Sequence, residues 1–226
     1  MPTYQKPPTV NDDARAIHIY REAARIISEK GFDATSMGDI AEIVDLTKGG
    51  LYYYIKGKKA LLYAIMNFVL NLLEEDVIAI AREGDDPDER LATLLAGYVR
   101  LVIDEPSSMN ILVNEEEGLD AAYRPKVMER KRAFTDFLRE SIVAVLERQD
   151  RIPKLDPNVA AHSVLGMVHG VVLWYKNDST IEPDDLVNQV TQMALRGLIV
   201  DPPSTPDPKV TRTDVERSRP RGRHAA

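Results

Sequence analysis

Through the middle of the chain, apolar side chains recur at the three- and four-residue spacing of α-helices. In residues 14–30, Ile17, Tyr20, Ala24 and Ile27 form one stripe, and a neighbouring stripe widens the apolar face. No stretch alternates apolar and polar residues between hairpin turns, which is the pattern of a strand. The sequence therefore predicts an all-α protein of about nine helices.

Glycine and proline residues divide this pattern into segments. Gly31 and Gly84 each follow a periodic segment and predict its end. Pro87, Pro157 and Pro183 each follow an acidic residue, which is typical of a helix that begins at proline. The predicted helices cover residues 14–30, 37–44, a short segment from 47, 58–82, 87–104, 109–119, 124–149, 157–175 and 183–198.

The charge is unevenly distributed. The net charge of −7 would, taken alone, argue against a nucleic-acid binder, because phosphates require cations. Residues 61–200 contain 14 basic and 24 acidic residues, whereas residues 1–60 contain 9 and 8, with lysines clustered from Lys48 to Lys59. The acidity therefore belongs to the body of the chain, where it would limit non-specific binding without excluding DNA.

Composition excludes several classes of protein. The absence of cysteine excludes a disulfide framework, a thiol nucleophile and a Cys-ligated metal site. No segment approaches the roughly 18 apolar residues of a membrane span, and no apolar run follows Met1, so we expect neither a membrane partner nor a secretory signal but a cytoplasmic protein. Residues 1–11 and the basic tail 201–226 are rich in proline and poor in apolar residues, which predicts disorder.

Residues 37–56 predict a short helix, a tight turn and a second short helix. Ala41 is small where the two helices would cross, and Asp45 lies in the turn, where a positive φ is usual and aspartate is tolerated. Ile40, Val44 and Leu51 lie at positions that face a shared core. This is the helix-turn-helix pattern, in which the second helix enters the major groove of DNA.

The second helix has residues suited to DNA contact. Thr47 would cap it and face a phosphate, and Lys48 supplies a cation. Gly49 and Gly50 allow close approach of the backbone. Because successive helical residues differ by about 100°, the three tyrosines 52–54 cannot all be buried, and at least one hydroxyl should be exposed. The alternative is an ordinary helical hairpin with solvated lysines.

Residues 12–72 resemble the N-terminal domain of the TetR family of transcriptional regulators. The resemblance rests on ARIISEKGF at 24–32, ATSM at 34–37, DIA at 39–41, LTKGGLYYYIKGK at 46–58 and the two leucines 61–62. It implies a three-helix bundle whose third helix contacts DNA. The predicted DNA-binding residues, most of them family contact positions, are Thr35, Ser36, Thr47, Lys48, Gly49, Gly50, Tyr52, Tyr53, Lys56 and Lys58.

Four residues depart from the family pattern. Asp45 replaces a common glycine and adds a negative charge near DNA, and Gly50 replaces a usual Ser, Thr or Ala. Ile55 replaces a phenylalanine, and Lys59 a frequent glutamate. The core of the motif persists, but the base sequence that it recognises is not predicted.

Residues 59–200 resemble the family's ligand-receiving and dimerising domain. One helix-turn-helix buries little DNA, and two copies about 34 Å apart would double the contacts. Residues 160–175 are apolar on nearly every face, which favours burial against the core and a partner, although a wholly internal helix would show the same pattern. The predicted dimer interface comprises His162, Leu165, Val172, Leu186, Val190 and Met193.

The effector pocket is less defined by the sequence. The candidate lining residues, each also explicable as core, are Met109, Leu112, Tyr123, Met128, Phe134, Phe137 and Met167. His162 and His169 lie seven apart, which fits core or interface histidines better than a metal pair. Basic residues in 124–132 either bind an anionic effector or, as favoured, pair with nearby acids. Trp174 is expected to anchor the core, in a segment faintly similar to acyl-CoA- or lipid-responsive members.

These patterns predict a ligand-responsive regulator and no enzyme, since no phosphate loop, nucleophile elbow or His-Glu-x-x-His motif occurs. We expect residues 12–58 to bind double-stranded, palindromic DNA as a homodimer and residues 59–200 to bind a hydrophobic or acyl-CoA-like small molecule that releases it. A repressor is favoured by family habit, with no cofactor or metal. The alternative is a helical partner-binding protein whose helix-turn-helix is vestigial.

Overall fold

The computed structural model describes residues 14–148, 155–175 and 180–199, and all regular secondary structure in these ranges is helical. The helices are α1 (Ala14–Lys30), α2 (Met37–Ile43), α3 (Lys48–Tyr54), α4 (Lys58–Leu72, continued by a π-helical Leu73–Ile78 and an α-helical Ala79–Arg82), α5 (Pro87–Asp104), α6 (Pro106–Asn114), α7 (Arg124–Arg148), α8 (Pro157–Trp174) and α9 (Pro183–Ile199). The predicted all-α class is confirmed, with nine helices in the described ranges. The two ends predicted as disordered lie outside these residues.

Side-chain caps begin the helices where the sequence predicts them. The Asp86 carboxylate accepts hydrogen bonds from the backbone of Asp88 and Glu89, with Pro87 as the first helical residue. Asp156 caps α8 in the same way. At the C-terminal end of α1, Gly31 stops the helix with a φ of +88°, a conformation that glycine adopts without steric cost.

Helix α4 departs from the single regular helix that the sequence predicts. Residues 73–78 form a π-helical segment, in which hydrogen bonds span five residues rather than four. Val77 of this segment lies over Gly97 of α5, where an added Cβ would be 3.4 Å from the Val77 Cγ1. The wide turn is therefore formed where α5 passes close to α4, a tertiary contact that local periodicity does not encode.

One continuous hydrophobic core runs from the N-terminal helices into the body of the molecule. Helix α1 packs against α4 and α6, and α4 extends away from the first three helices into the body. There α5 is central, packing against α7, α8 and α9. Because α6 lies between α1 and the body, a displacement of α6 would act directly on the N-terminal bundle.

Polar contacts reinforce this junction. Glu105, only 5% exposed between α5 and α6, accepts a 2.6 Å hydrogen bond from Arg21 Nε on α1 and a longer one from the Ser108 hydroxyl. Lys59 at the start of α4 forms a 2.7 Å ion pair with Asp120. A buried carboxylate left without its partner is costly, so Arg21 fixes α1 to the start of α6.

Candidate functional site

The turn before α2 is held by a reciprocal pair of hydrogen bonds. The Asp39 amide donates to the Ser36 hydroxyl oxygen at 3.2 Å, and the Ser36 amide donates to the Asp39 carboxylate at 2.8 Å. These bonds hold the pKa of Asp39 below its usual range, the backbone amide contributing most. Ser36 remains exposed at the N-terminus of α2 and presents polar groups to solvent.

The turn between α2 and α3 has the conformation that the sequence predicts. Asp45 has a φ of +53°, and the Leu46 amide donates to the Ala41 carbonyl at 2.8 Å. Thr47 then caps α3, its hydroxyl oxygen accepting a 3.0 Å bond from the Gly50 amide. This local geometry fixes the direction in which α3 leaves the turn.

Helix α3 is anchored on one side and exposed on the other. Leu51 is fully buried, whereas Tyr53 is 80% exposed and Tyr52 about half as much. Tyr54 is half-buried and meets the Tyr53 ring edge to face, with centroids 5.4 Å apart. Two exposed hydroxyls therefore stand beside the glycine backbone, as the spacing of the three tyrosines predicts.

The lysines around α3 differ in their surroundings. Lys48 is exposed at the start of α3 and, among the described residues, makes no ion pair or hydrogen bond. Lys56 is exposed and donates to the Tyr52 carbonyl at 3.3 Å. Of these two, Lys48 has the ammonium group that is available to a phosphate without loss of an internal bond.

Two predicted DNA contacts form hydrogen bonds within the protein, Thr35 as a buried residue and Lys58 as a half-exposed one. Thr35 is 1% exposed, and its hydroxyl donates to the Gly31 carbonyl at 2.8 Å, so its side chain is withdrawn from the surface. The Lys58 ammonium donates to the carbonyls of Phe32 (2.7 Å) and Asp33 (3.2 Å) and lies 4.4 Å from the centre of the Phe32 ring. Both side chains hold the loop between α1 and α2 because that loop folds back onto α4.

A cleft of about 230 Å³ lies between α6 and α8 in the body. Helix α6 contributes Met109, Asn110, Val113 and Asn114, and α8 contributes Gly166, His169 and Gly170. An added Cβ on either glycine would find no atom within 4 Å, so the two glycines face open space. Leu173, highly exposed at the rim, extends the apolar wall.

A part-buried hydrogen bond fixes the imidazole of His169, which lines this cleft. The Tyr98 hydroxyl meets His169 Nε2 at the back of the site, with the Tyr98 ring also packed on Phe134. Burial lowers the pKa of His169 to about 4, with a smaller contribution from the positive charge of Lys131, and burial raises the pKa of Tyr98. Both groups are therefore uncharged at neutral pH.

Comparisons with known proteins agree with this geometry. Residues 19–65 match a family model described as bacterial regulatory proteins of the tetR family, and residues 84–198 match one described as a tetracyclin repressor-like C-terminal domain. The second match alone covers half of the chain. The chain belongs to the TetR family of transcriptional regulators. Members have a DNA-binding and a ligand-binding domain, and the fold and the relatives of this chain are those of regulators rather than of enzymes.

Three relatives illustrate the range of the family. The crystal structure of AibR in complex with isovaleryl coenzyme A and operator DNA is 33% identical over 79% of this chain and 97% of that chain, with a TM-score of 0.70. The fatty acid metabolism regulator protein of Bacillus subtilis (strain 168) is 21% identical, covering 80% of this chain and 94% of its own length. The transcriptional repressor KstR2 of Mycolicibacterium smegmatis is 21% identical, covering 82% and 91%.

The predicted pocket residues of this TetR-family regulator lie in several different surroundings. Only Met109 lines the α6–α8 cleft, and Met167 lines a second cavity between α8 and α9. Tyr123 stacks on Tyr63 at 4.2 Å, and Phe137 packs against the Arg82 guanidinium. The others are core or half-buried side chains elsewhere, namely Leu112, Met128 and Phe134. Helical spacing located large apolar residues but not the gap between helices.

The predicted dimer residues also divide. Leu186 and Val190 are buried because that face of α9 packs on α5, which corrects their assignment to a partner-facing surface. His162 is exposed and Met193 is 66% exposed. Leu165 and Val172 are half-buried. Trp174 is 55% exposed rather than a core anchor, so α8 is not wholly internal.

The basic residues at the start of α7 lie close to acidic side chains. Arg124 and Lys131 pair with Glu116, and Arg130 pairs with Glu74, which confirms that basic residues of α7 mainly neutralise nearby acids. Within the described ranges, no cluster of three potential metal ligands occurs and no helix is long and apolar enough to cross a bilayer. Nothing in the sequence pattern indicated that Tyr98 would lie behind the α6–α8 cleft. The four-residue spacings of Asn110 with Asn114 and of Gly166 with Gly170 could have indicated the two walls of this cleft.

Proposed function

We propose that this protein is a ligand-responsive repressor that binds a palindromic operator as a homodimer and is released by a small-molecule effector. The observation that supports this most directly is the exposed face of α3, where Lys48, Tyr52 and Tyr53 surround a glycine backbone while Leu51 fixes the helix to the core. Cations and hydroxyls of this kind contact phosphate and position a helix on the duplex.

The two parts of the chain would have different functions. Residues 12–58 would bind DNA, through Ser36, Thr47, Lys48, Gly49, Gly50, Tyr52, Tyr53 and Lys56. Residues 59–200 would bind the effector and the second subunit. The excess of acidic residues in the body opposes adsorption to phosphate wherever α3 finds no matching bases. The protein would act in the cytoplasm.

A second copy of the chain is required by the size of the contact. Helix α3 has only seven residues and meets one short stretch of major groove. Two such helices about 34 Å apart would contact successive turns on one side of the duplex. The exposed apolar residues Val159, Leu173, Trp174 and Met193 on α8 and α9 support burial against a partner.

The effector would be a short acyl thioester of coenzyme A. The support is the 33% identity to AibR, which was crystallised with isovaleryl coenzyme A and operator DNA, together with a cleft in the body whose size suits a short acyl group. By mass action, a ligand that prefers a form with unsuitably spaced α3 helices lowers operator affinity.

Fluorescence anisotropy with duplexes from upstream of the protein's own gene tests the DNA-binding part. We expect saturable binding as a dimer, with Lys48→Ala lowering the slope of log affinity against log salt by about one. Lys126→Ala, which removes an exposed lysine from α7, is the matched control and should leave the slope unchanged. Absence of binding at low salt would instead favour a vestigial helix-turn-helix.

The regulatory sign and the effector class need two further measurements. Transcription from the same promoter in a purified system should fall when the protein is added and recover with an acyl thioester. A panel of butyryl-, isovaleryl- and octanoyl-coenzyme A, with free coenzyme A as control, tests the class. An increase in transcription on addition of protein would identify an activator.

A further inference from the structure

The α6–α8 cleft is bordered by two glycines of α8, of which Gly166 is exposed and Gly170 is half-buried. Gly166 and Gly170 lie one turn apart on α8, and neither would bring an added Cβ within 4 Å of another atom. A glycine inside a helix costs about 1 kcal/mol relative to alanine, and here no close packing requires it. The two glycines therefore keep open a space that alanine would begin to fill.

The cleft offers a defined hydrogen-bond donor. Tyr98 is fully buried, and among the described residues its hydroxyl has only His169 Nε2 as a partner. We assign the hydroxyl as the donor, because the reverse direction would leave its proton buried without an acceptor. A neutral imidazole has one N–H, which is then on Nδ1. This N–H has no partner in the described part of the chain, although His169 lines the cleft.

The walls select an uncharged ligand group. Among the residues that the structure describes, no Lys, Arg, Asp or Glu lines the cleft, and its surface combines apolar side chains with the carboxamides of Asn110 and Asn114. At roughly 30 Å³ for each small group, the cleft accommodates about seven or eight non-hydrogen atoms. An apolar body of this size with one carbonyl acceptor, such as a short acyl group, satisfies the free N–H of His169.

The wall of the cleft is also bonded to the DNA-binding part. The Asn114 amide donates to the Asn110 carbonyl oxygen at 2.7 Å, and the Asn110 amide donates to the Ser28 hydroxyl oxygen on α1 at 3.3 Å. The Ser28 hydroxyl in turn donates to the Ser107 carbonyl at 3.4 Å. Asn110 thus contacts the cleft on one side and α1 on the other.

We propose that this cleft binds the acyl group of the effector, its carbonyl oxygen accepting a hydrogen bond from His169 Nδ1, and that occupancy reaches α1 through Asn110 and Ser28. The proposal rests on the function proposed above. In the free protein, α1 can follow a displaced α6 and keep the Ser28 bond. When the protein is on the operator, DNA holds α1 in place, so a displacement of α6 breaks the Ser28 bond. The net free energy of that bond then adds to the factor by which the effector lowers operator affinity.

The first experiment measures binding of the three acyl thioesters by titration calorimetry. We expect Gly166→Leu to weaken the best-bound thioester at least tenfold, because the new side chain enters the cleft. Gly197→Leu is the matched control, since Gly197 is also a helical glycine with an open Cβ direction but lines the α8–α9 cavity. Its affinity should stay within about twofold of the wild type. Gly170→Ala, a smaller and helix-favouring change, supplies a second variant with a severalfold loss.

Three results would overturn the cleft assignment. One is equal loss, or no loss, in the Gly166 and Gly197 variants. Another is dissociation of the dimer by Gly166→Leu in sedimentation, which would make this face a subunit contact. The third is a wild-type protein that binds no thioester of the panel, and in that case operator binding by anisotropy would still stand as a separate result.

The second experiment tests the connection to α1. Ser28→Ala removes the bond without altering the cleft, so the free protein should bind the thioester as the wild type does. The factor by which the thioester lowers operator affinity should fall about fivefold, the range of one net hydrogen bond. Ser163→Ala, at an exposed serine on α8, is the control. An unchanged factor, or an equal loss of thioester affinity, would refute the connection.

Discussion

The uncharged state of His169 predicts how the stability of the body depends on pH. Burial and the charge of Lys131 lower the pKa of the folded imidazole to about 4, against 6.5 for an unperturbed histidine. Between these two values the unfolded chain binds more protons than the folded one. Acidification from pH 6.5 towards pH 4 therefore favours unfolding, whereas above pH 6.5 this residue contributes no pH dependence.

The magnitude follows from the two pKa values. At pH 5 the unfolded histidine is almost fully protonated and the folded one almost fully neutral. Linkage then lowers the free energy of unfolding by about 2 kcal/mol between pH 7 and pH 5 from this residue alone. Burial is the main reason that the neutral form is favoured, and the positive charge of Lys131 adds to it. The Tyr98 hydroxyl gives the neutral ring a hydrogen-bond partner at Nε2.

Urea unfolding at a series of pH values, followed by circular dichroism, measures this effect. Carboxylates also titrate in the range, so the informative quantity is the difference between the wild type and His169→Gln, which cannot titrate. We expect the variant to lose about 2 kcal/mol less stability than the wild type between pH 7 and pH 5. His162→Gln removes an exposed histidine from the same helix and should behave as the wild type. Parallel curves for the wild type and His169→Gln would refute the reasoning.

Three further substitutions test other parts of the structure. Asp45→Asn keeps a residue that tolerates the positive φ and removes a negative charge beside α3. Operator affinity, measured by anisotropy, should therefore rise about twofold to fivefold at low salt. A gain that persists at high salt would contradict an electrostatic cause. Gly118→Ala places a Cβ 2.8 Å from Leu62 Cδ2 and 3.0 Å from the Phe32 ring. Urea titration should therefore show that the free energy of unfolding falls by about 1–3 kcal/mol. An unchanged midpoint would show that the side chains around Gly118 can relax. Lys58→Ala removes the hydrogen bond to the Phe32 carbonyl and should lower the free energy of unfolding by about 1 kcal/mol. The slope of log affinity for DNA against log salt should stay unchanged. A slope reduced by one would show that Lys58 contacts a phosphate.

Much of the DNA-binding part could be predicted because its determinants are local. The bonds that define the start of α2 join Ser36 to Asp39, three residues away, and Thr47 caps α3 through Gly50 over the same distance. The positive φ of Asp45 is likewise a property of a four-residue turn. Interactions over three or four residues leave a pattern in the sequence, and the family resemblance extended that pattern to function.

The α6–α8 cleft, which we propose as the effector site, could not be predicted in the same way. Seven large apolar residues were candidates, yet only Met109 borders the α6–α8 cleft, because a cavity is defined by what is missing between two helices. The cleft depends on Gly166 and Gly170 facing α6, and the amphipathic pattern of either helix alone does not specify that orientation. Similarly, α9 has apolar residues on more than one face, and its packing on α5 decides that Leu186 is buried while Met193 is exposed.

The sequence by itself determined the helical class, most helix boundaries and the helix-turn-helix, since these follow from backbone hydrogen bonds and caps between near neighbours. It also located the acidity in the body of the chain. The predicted helix 109–119 was wrong, because α6 begins at Pro106 and ends at Asn114, and a separate 3-10 turn follows at Glu116–Gly118. Only the tertiary structure decided that Thr35 and Lys58 form hydrogen bonds within the protein, that burial holds His169 neutral, and that Asn110 joins the cleft to α1. The physical reason is that these contacts join residues from different helices or loops, and their formation depends on how the helices pack rather than on the residues beside them in the chain.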